Sequence, residues 1–344
     1  MTSQNFDGKN DTITPEQVQY WDHKHLIHPW SEFSEDGFDM TQVSRADGIY
    51  LYDAHGNKLI DGPGGMWCVN IGYGRKEMAD AISEQIMNMT YSSPWFTTNE
   101  PAAMLAKVIT EKTPGDLNRV FFSNGGSDAV DTALRFVQYR NNVIGKPDKK
   151  KILCREKGYH GSSYLAATVS GTGREHDRRY MDTHHDLAIM LPNINPYMRP
   201  TGTSVEEWCN AKISEMEETI LSIGPDQIGC FIAEPILASG GVIVPPPGYH
   251  QRSLELCKKH DIVYISDETV TGFGRLGHWF ASKEIFGIQP DIITCAKGLT
   301  SGYLPMGAAI ISESLIDDIK NKDGSQPFTN GYTYSCHPVA AKAA

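Results

Sequence analysis

Two hydrophobic rhythms alternate along most of the chain. Short runs with continuous apolar centres at 119–123, 151–155, 228–233, 262–266 and 292–294 predict buried strands, because runs of that length without alternation need both faces covered. Between them, at 77–89, 101–113, 128–141, 205–223 and 249–260, apolar positions recur three and four residues apart, the spacing of one helix face. In 128–141 the stripe holds Ala129, Ala133, Phe136, Val137 and Arg140. Strands and helices in this alternation predict an α/β fold with a mainly parallel central sheet covered by helices. Ahead of it, 48–60 places alternating apolar residues around an Asp-Ala-His-Gly-Asn turn, the pattern of a small antiparallel unit. Residues 1–16 are polar and are expected to be disordered. The expected divisions are therefore 1–16, a small-domain segment over 17–75, a large domain over 76–336, and 337–344. That last stretch begins like a helix, with Pro338 at its first position and strong helix formers after it. It reads either as a frayed tail or as the start of a helix that leads into an absent domain, and truncation is the expectation.

Composition changes this picture mainly by exclusion. With 344 residues, of which 40% are hydrophobic, the chain can build a sizeable core. A net charge of −11 argues against nucleic acid or an anionic membrane as the main partner, since either would need a clustered basic face. The N-terminus lacks the apolar core of a signal peptide, and no apolar run approaches the ~20 residues of a membrane span, so a cytoplasmic location is expected. The seven cysteines are scattered without a Cys-x-x-Cys pair and read as buried thiols. His184 and His185 are adjacent and not spaced along one helix face, so no metal site is expected.

The candidate chemistry begins at Lys297, a lone lysine delivered by the run at 292–294 into a turn of small residues. The run at 262–266 delivers Asp267 in the same way, ahead of Thr271-Gly-Phe-Gly-Arg275. An amine and a carboxylate at strand ends suit pyridoxal phosphate. The lysine forms a Schiff base with the aldehyde, and the carboxylate keeps the ring nitrogen protonated so that the ring withdraws electrons. Ser123-Asn-Gly-Gly-Ser127 joins a strand to a helix and either holds a phosphate on backbone N–H groups or merely caps the helix. Gly158-Tyr-His-Gly161 places an aromatic at the sheet edge, either for stacking on a flat ring or as a structural turn. Glu234 ends another run ahead of Pro235 and is open to a positional role; Arg275 is read as a structural partner of Glu234 or Asp267 in preference to an active-site cation. Trp67 is either core or a pocket wall.

Ligands on open sheets of this kind collect at strand C-termini, where all of these signals fall. Together with 296–308 and Thr333-Tyr-Ser-Cys-His-Pro338, they resemble the class III pyridoxal-phosphate-dependent aminotransferases, from about Trp21 to Ala344. The resemblance is to the ω-amino acid and amine:pyruvate transaminase branch of the fold type I enzymes. It implies a fold type I transferase with an N-terminal small segment and with the C-terminal small domain missing. By the same resemblance, Gly125, Gly126 and Ser127 hold the cofactor phosphate, and Tyr159 stacks on the ring with His160 beside it. Glu234 and Thr269 line the cofactor site, Asp267 pairs with the ring nitrogen, and Lys297 carries the Schiff base. Thr333 reaches the partner subunit's cofactor in a homodimer, and Trp67 lines the substrate pocket. The implied reaction is transamination between a primary amine or ω-amino acid, of the taurine or β-alanine type, and a keto acid such as pyruvate. The alternatives are a catalytically inactive cofactor-binding fragment, or an aminomutase or decarboxylase of the same fold. Three residues depart from the family pattern: Thr269 stands where valine is usual, Asn330 where histidine is frequent, and Cys336 where glycine is frequent.

Overall fold

The computed structural model describes residues 13–33, 40–171, 181–320, 322 and 326–344. It divides into two compact units, Met1–Gly65 with Ile71–Arg75, and Met66–Asn70 with Lys76–Ala344. Of the segment expected to be disordered, residues 1–12 lie outside the described residues. Its end does not follow the expectation, because a helix begins at Pro15 and runs to His25. Thr14 and Gln17 cap each other's backbone at its first turn, and Pro15 sets the first helical φ.

The smaller unit carries a three-stranded sheet, β1 (Val43–Asp47), β2 (Tyr50–Asp53) and β3 (Lys58–Ile60), antiparallel in the order β1-β2-β3. Tyr50 pairs with Ile60 and Tyr52 with Lys58, as the alternation at 48–60 predicts. The turn closes on the Asp53 carboxylate, which accepts the His55 and Asn57 N–H groups at 2.9 and 2.8 Å.

The larger unit is built on seven strands: β4 (Leu117–Ser123), β5 (Lys151–Arg155), β6 (Ala188–Leu191), β7 (Ile228–Ala233), β8 (Val263–Asp267), β9 (Ile292–Cys295) and β10 (Gly307–Ser312). Their order is β4-β10-β9-β8-β7-β5-β6, parallel except for β10, which runs against both of its neighbours. All five predicted runs are strands. The two additional strands carry weaker patterns: β6 is a four-residue edge strand and β10 is rich in alanine and glycine.

Every residue of β7 is buried, and successive side chains serve opposite faces. Cys230 and Ile232 pack with Val130, Ala133 and Val137 of the helix Gly126–Val143. Phe231 packs on the other face with Met216 and Ile220 of the helix Val205–Ile223 and with Cys257 of the helix Tyr249–Lys259. Each large side chain so buried stabilises the sheet by about 1.5–3 kcal/mol. The helix Pro338–Ala343 is packed, not frayed: Ala340 and Ala341 are buried in a cluster with Leu105 and Ile109 of the helix Glu100–Thr110. Five of the seven cysteines are buried as expected, whereas Cys68 and Cys336 are only half-buried. Among the described residues no group of His, Cys, Asp or Glu side chains could hold a metal ion, and no helix is long and apolar enough to cross a membrane.

Candidate active site

The parallel strands send the loops after β4, β5, β7, β8 and β9 to one end of the sheet, where they line a cavity of about 420 Å³. Gly125, Gly126, Ser127, Tyr159, His160, Glu234, Asp267, Thr269 and Lys297 all border it. The structure thus brings together nine of the eleven residues that the family resemblance assigns to the site.

After β4 the chain turns directly into an 18-residue helix, whose cap residue Gly125 supplies no side chain to its first N–H groups. Those donors, at the positive end of the helix dipole, are disposed to receive an anion. The approach is close on two sides. A Cβ on Gly307 would stand 2.3 Å from the Gly125 carbonyl oxygen, and one on Gly161 would stand 2.8 Å from the Ser127 Cα. Only glycine fits at either position.

Asp267, at the end of β8, is buried and held almost entirely by side chains. Its Oδ2 accepts the His160 Nδ1–H at 2.7 Å. Its Oδ1 accepts the Thr269 hydroxyl at 2.6 Å, the Thr294 hydroxyl at 3.0 Å and the Thr269 N–H at 3.1 Å. Burial alone would push this carboxyl up; the bonds from His160 and Thr269, with the histidine's charge, outweigh it and hold the carboxyl below its ordinary value. Glu234, at the end of β7, has both oxygens on backbone N–H groups, Tyr159 at 2.9 Å and Ala238 at 3.0 Å. It thereby fixes the loop that carries Tyr159. Burial raises its carboxyl to about 7, partly countered by His160.

Lys297 follows β9 as the first residue of a single 3₁₀ turn, with φ of 37° in the left-handed region. A lysine held in that conformation stores strain of the kind that gathers at functional sites. Arg275 corrects an expectation: it bonds the Asn70 side-chain oxygen and contacts neither Glu234 nor Asp267. Asn70 in turn donates to the Phe273 carbonyl at 2.9 Å, so the arginine braces a loop. Trp67 and Thr333 are not among the lining residues. Trp67 is half-buried with φ of 63°, and its neighbour Cys68 borders the cavity instead. Thr333 is exposed, and its carbonyl accepts the Tyr91 hydroxyl at 2.6 Å.

Sequence reasoning gave no role of their own to Asn124, Ser239, Thr300 and Met306 in the lining, or to Thr294 behind Asp267. Thr294 had a readable signal, since it is the lone polar residue in the apolar run that leads to Lys297.

The family model of class III aminotransferases matches residues 33–344. The chain is a class III aminotransferase. The putrescine–pyruvate aminotransferase of Pseudomonas aeruginosa is 37% identical over 346 residues, an alignment that spans 97% of this chain and 73% of that protein. Among solved structures, the (S)-enantioselective ω-transaminase of Thermomicrobium roseum superposes with a TM-score of 0.92 at 34% identity, covering 97% of this chain and 74% of that one. The ω-transaminase of Pseudomonas jessenii, solved in complex with PMP, gives a TM-score of 0.90 at 32% identity, with coverage of 96% and 73%. Class III aminotransferases depend on pyridoxal phosphate, act on amine and keto acid substrates and are typically dimeric. The residues of this aminotransferase fit that cofactor. Uncapped glycine N–H groups suit its phosphate, a buried carboxylate its ring nitrogen, and an amine at the same cavity its aldehyde.

Proposed function

We propose that this aminotransferase moves an amino group from a primary amine or ω-amino acid to a keto acid such as pyruvate, with Lys297 as covalent anchor and proton carrier. The observation that carries this reading is the convergence of Lys297, Asp267 and the uncapped 125–127 turn on one cavity. The relatives named for putrescine–pyruvate and ω-amine transamination favour an amine donor and an acceptor of the pyruvate type.

When bound, the cofactor supplies an electron sink that renders the donor's carbon–hydrogen bond acidic. The chain supplies the rest. The first-turn N–H groups after Gly125 bind the phosphate, and Ser127 adds its hydroxyl. Tyr159, fixed by Glu234, presents its ring as a stacking surface. Asp267 holds the proton on the ring nitrogen. Lys297 would hold the cofactor through Nζ, and the same Nζ, when free, would take the proton from the donor carbon and redeliver it. In a homodimer, Thr333 reaches the cofactor phosphate of the partner subunit, and Trp67 forms a wall of the substrate pocket.

The test is the visible absorption of the purified chain with pyridoxal phosphate, beside Lys297→Ala, before and after addition of putrescine, β-alanine or taurine. A band that requires Lys297 and bleaches with a donor is expected, and turnover with pyruvate should fall by at least about 10²–10⁴-fold in Lys297→Ala. A spectrum indifferent to Lys297 would end the proposal.

A further inference from the structure

Thr269, two residues after Asp267 at the wall of the cavity, has both a hydroxyl and a methyl group in defined contacts. The hydroxyl donates to Asp267 Oδ1 at 2.6 Å, the shortest of the four hydrogen bonds that reach this carboxylate. The methyl group packs on the glycine turn, since the Thr269 Cγ2 would lie 3.1 Å from a Cβ placed on Gly126. One side chain thus both packs beside the glycine turn and bonds the buried acid.

We infer that Thr269 is a positioning residue that tunes Asp267, its hydroxyl keeping the acid a weak base so that the shared proton stays on the cofactor's ring nitrogen. The inference rests on the proposed pairing of Asp267 with that nitrogen. Its logic concerns the place of one proton. A proton between a ring nitrogen and a carboxylate sits on the weaker acid of the two. Each hydrogen bond donated to the carboxylate stabilises its ionised form and lowers its affinity for the proton. Removing a donor from a buried anion raises that affinity and moves the proton from ring to acid.

Two other side-chain donors share this carboxylate, and the Thr269 hydroxyl adds to them. His160 donates to the opposite oxygen, and Thr294 donates to Oδ1 at the longer distance of 3.0 Å. Glu234 pushes against the negative charge of Asp267 from the end of β7. The Cys295 thiol is driven up by burial, with Glu268 and Asp267 adding to the rise, so it stays neutral. Glu268 turns away, with its carboxylate on the N–H groups of Ala281 and Ser282. Lys297 lies across the same cavity.

The experiment loads the full chain with pyridoxal phosphate labelled with ¹⁵N at the ring nitrogen and reads that nucleus, whose resonance separates protonated from neutral rings. Three variants are compared with the parent: Thr269→Val, Thr269→Ser and Asp267→Asn. The parent and Thr269→Ser should show the protonated ring. Thr269→Val should move toward the neutral position, with about a tenfold change in the proton's partition. Asp267→Asn should give the neutral ring outright. A Thr269→Val resonance that coincides with the parent's, while Asp267→Asn still shifts, overturns the Thr269 inference alone. A Thr269→Ser resonance displaced as far as that of Thr269→Val shows a packing role and overturns it too. If Asp267→Asn leaves the resonance in place, or the parent chain takes up no cofactor, the Asp267 pairing falls and the inference with it.

Discussion

The two ends of the seven-stranded sheet use the same polar device for different purposes. At the end away from the cavity, carboxylates close the backbone. Asp116, ahead of β4, accepts the Ser314 N–H at 3.0 Å, and Asp291, ahead of β9, accepts the Tyr264 N–H at 2.7 Å. Lys149, only 2% exposed ahead of β5, donates to the carbonyls of Pro225 and His260 at 3.3 and 3.2 Å. At the cavity end Glu234 does the same kind of work, clamping two backbone N–H groups. Asp267 differs, because three of its four bonds come from side chains on three separate segments, and it borders a space shared with an amine. A carboxylate at a strand end is therefore weak evidence of chemistry. One held by converging side-chain donors beside a cavity is stronger evidence, because only the Thr294 bond ties neighbouring strands while those from His160 and Thr269 fix the carboxylate itself.

Small backbone changes can break this contrast at each end separately, and the largest effect is expected from Gly307→Ala. The added methyl group would sit 2.3 Å from the Gly125 carbonyl, backbone against backbone, so the 125–127 turn must move. A loss of about 3 kcal/mol or more in unfolding free energy is expected, with cofactor affinity weaker by at least about tenfold. Gly229→Ala is the matching variant at the other end, where the new Cβ would meet the Lys149 carbonyl at 2.8 Å. It should lower stability by denaturant titration and leave cofactor affinity as it was. Equal losses of affinity in both variants would show that the ends are not independent.

The two clamping carboxylates sharpen the comparison with a smaller effect. Glu234 titrates near 7 in the folded chain against 4.5 as a free side chain, so the native state holds a proton that the unfolded state releases between those values. Its contribution is complete below about pH 4.5 and is lost as pH rises through about 7. Glu234→Gln should remove on the order of 2 kcal/mol of the fall in stability between pH 5 and 7, read as melting temperature against pH. It should also weaken the cofactor, because the Tyr159 loop loses its clamp. Asp291→Asn, at the far end, should change stability alone. An unaltered pH slope in Glu234→Gln would contradict the raised carboxyl.

Much of this was legible in the sequence, for physical reasons that also mark its limits. The strands β5 and β7 and the helix Val205–Ile223 follow the predicted runs residue for residue, because burial on both faces keeps the centres of the strands apolar and burial of one face spaces the apolar positions of the helix. Lys297, Asp267 and the 125–127 turn were visible because the chemistry needs unusual residues at strand ends. Strand β10 was not visible, since Gly-Ala-Ala-Ile-Ile-Ser suits helix or strand and is settled only by its neighbours β4 and β9. The helix at Pro15 was hidden by its mixed composition, with no buried face to betray it. Arg275 was misjudged because its partner, Asn70, lies 205 residues away and carries no charge to advertise the contact.

Cys336 carries the smallest expected effect and separates strain from chemistry. Like Lys297 it has a left-handed backbone, with φ of 56° against 37°, but it does not border the cavity. Its carbonyl is fixed by the Asn99 side chain at 2.9 Å, which holds the turn ahead of the helix Pro338–Ala343 in place. A non-glycine residue in that region costs about 1–2 kcal/mol, whereas glycine adopts it freely and loses about 0.5–1 kcal/mol in chain entropy. The balance predicts that Cys336→Gly stabilises the chain by about 0.5–1 kcal/mol in urea titration, with cofactor affinity unchanged. Cys336→Ser removes the sulfur and keeps the strain, so it should give no such gain. If serine stabilises as much as glycine does, the half-buried thiol and not the backbone is the unfavourable element. If neither does, the Asn99 contact already offsets the strain, and left-handed geometry outside the cavity is as well supported as it is at Lys297.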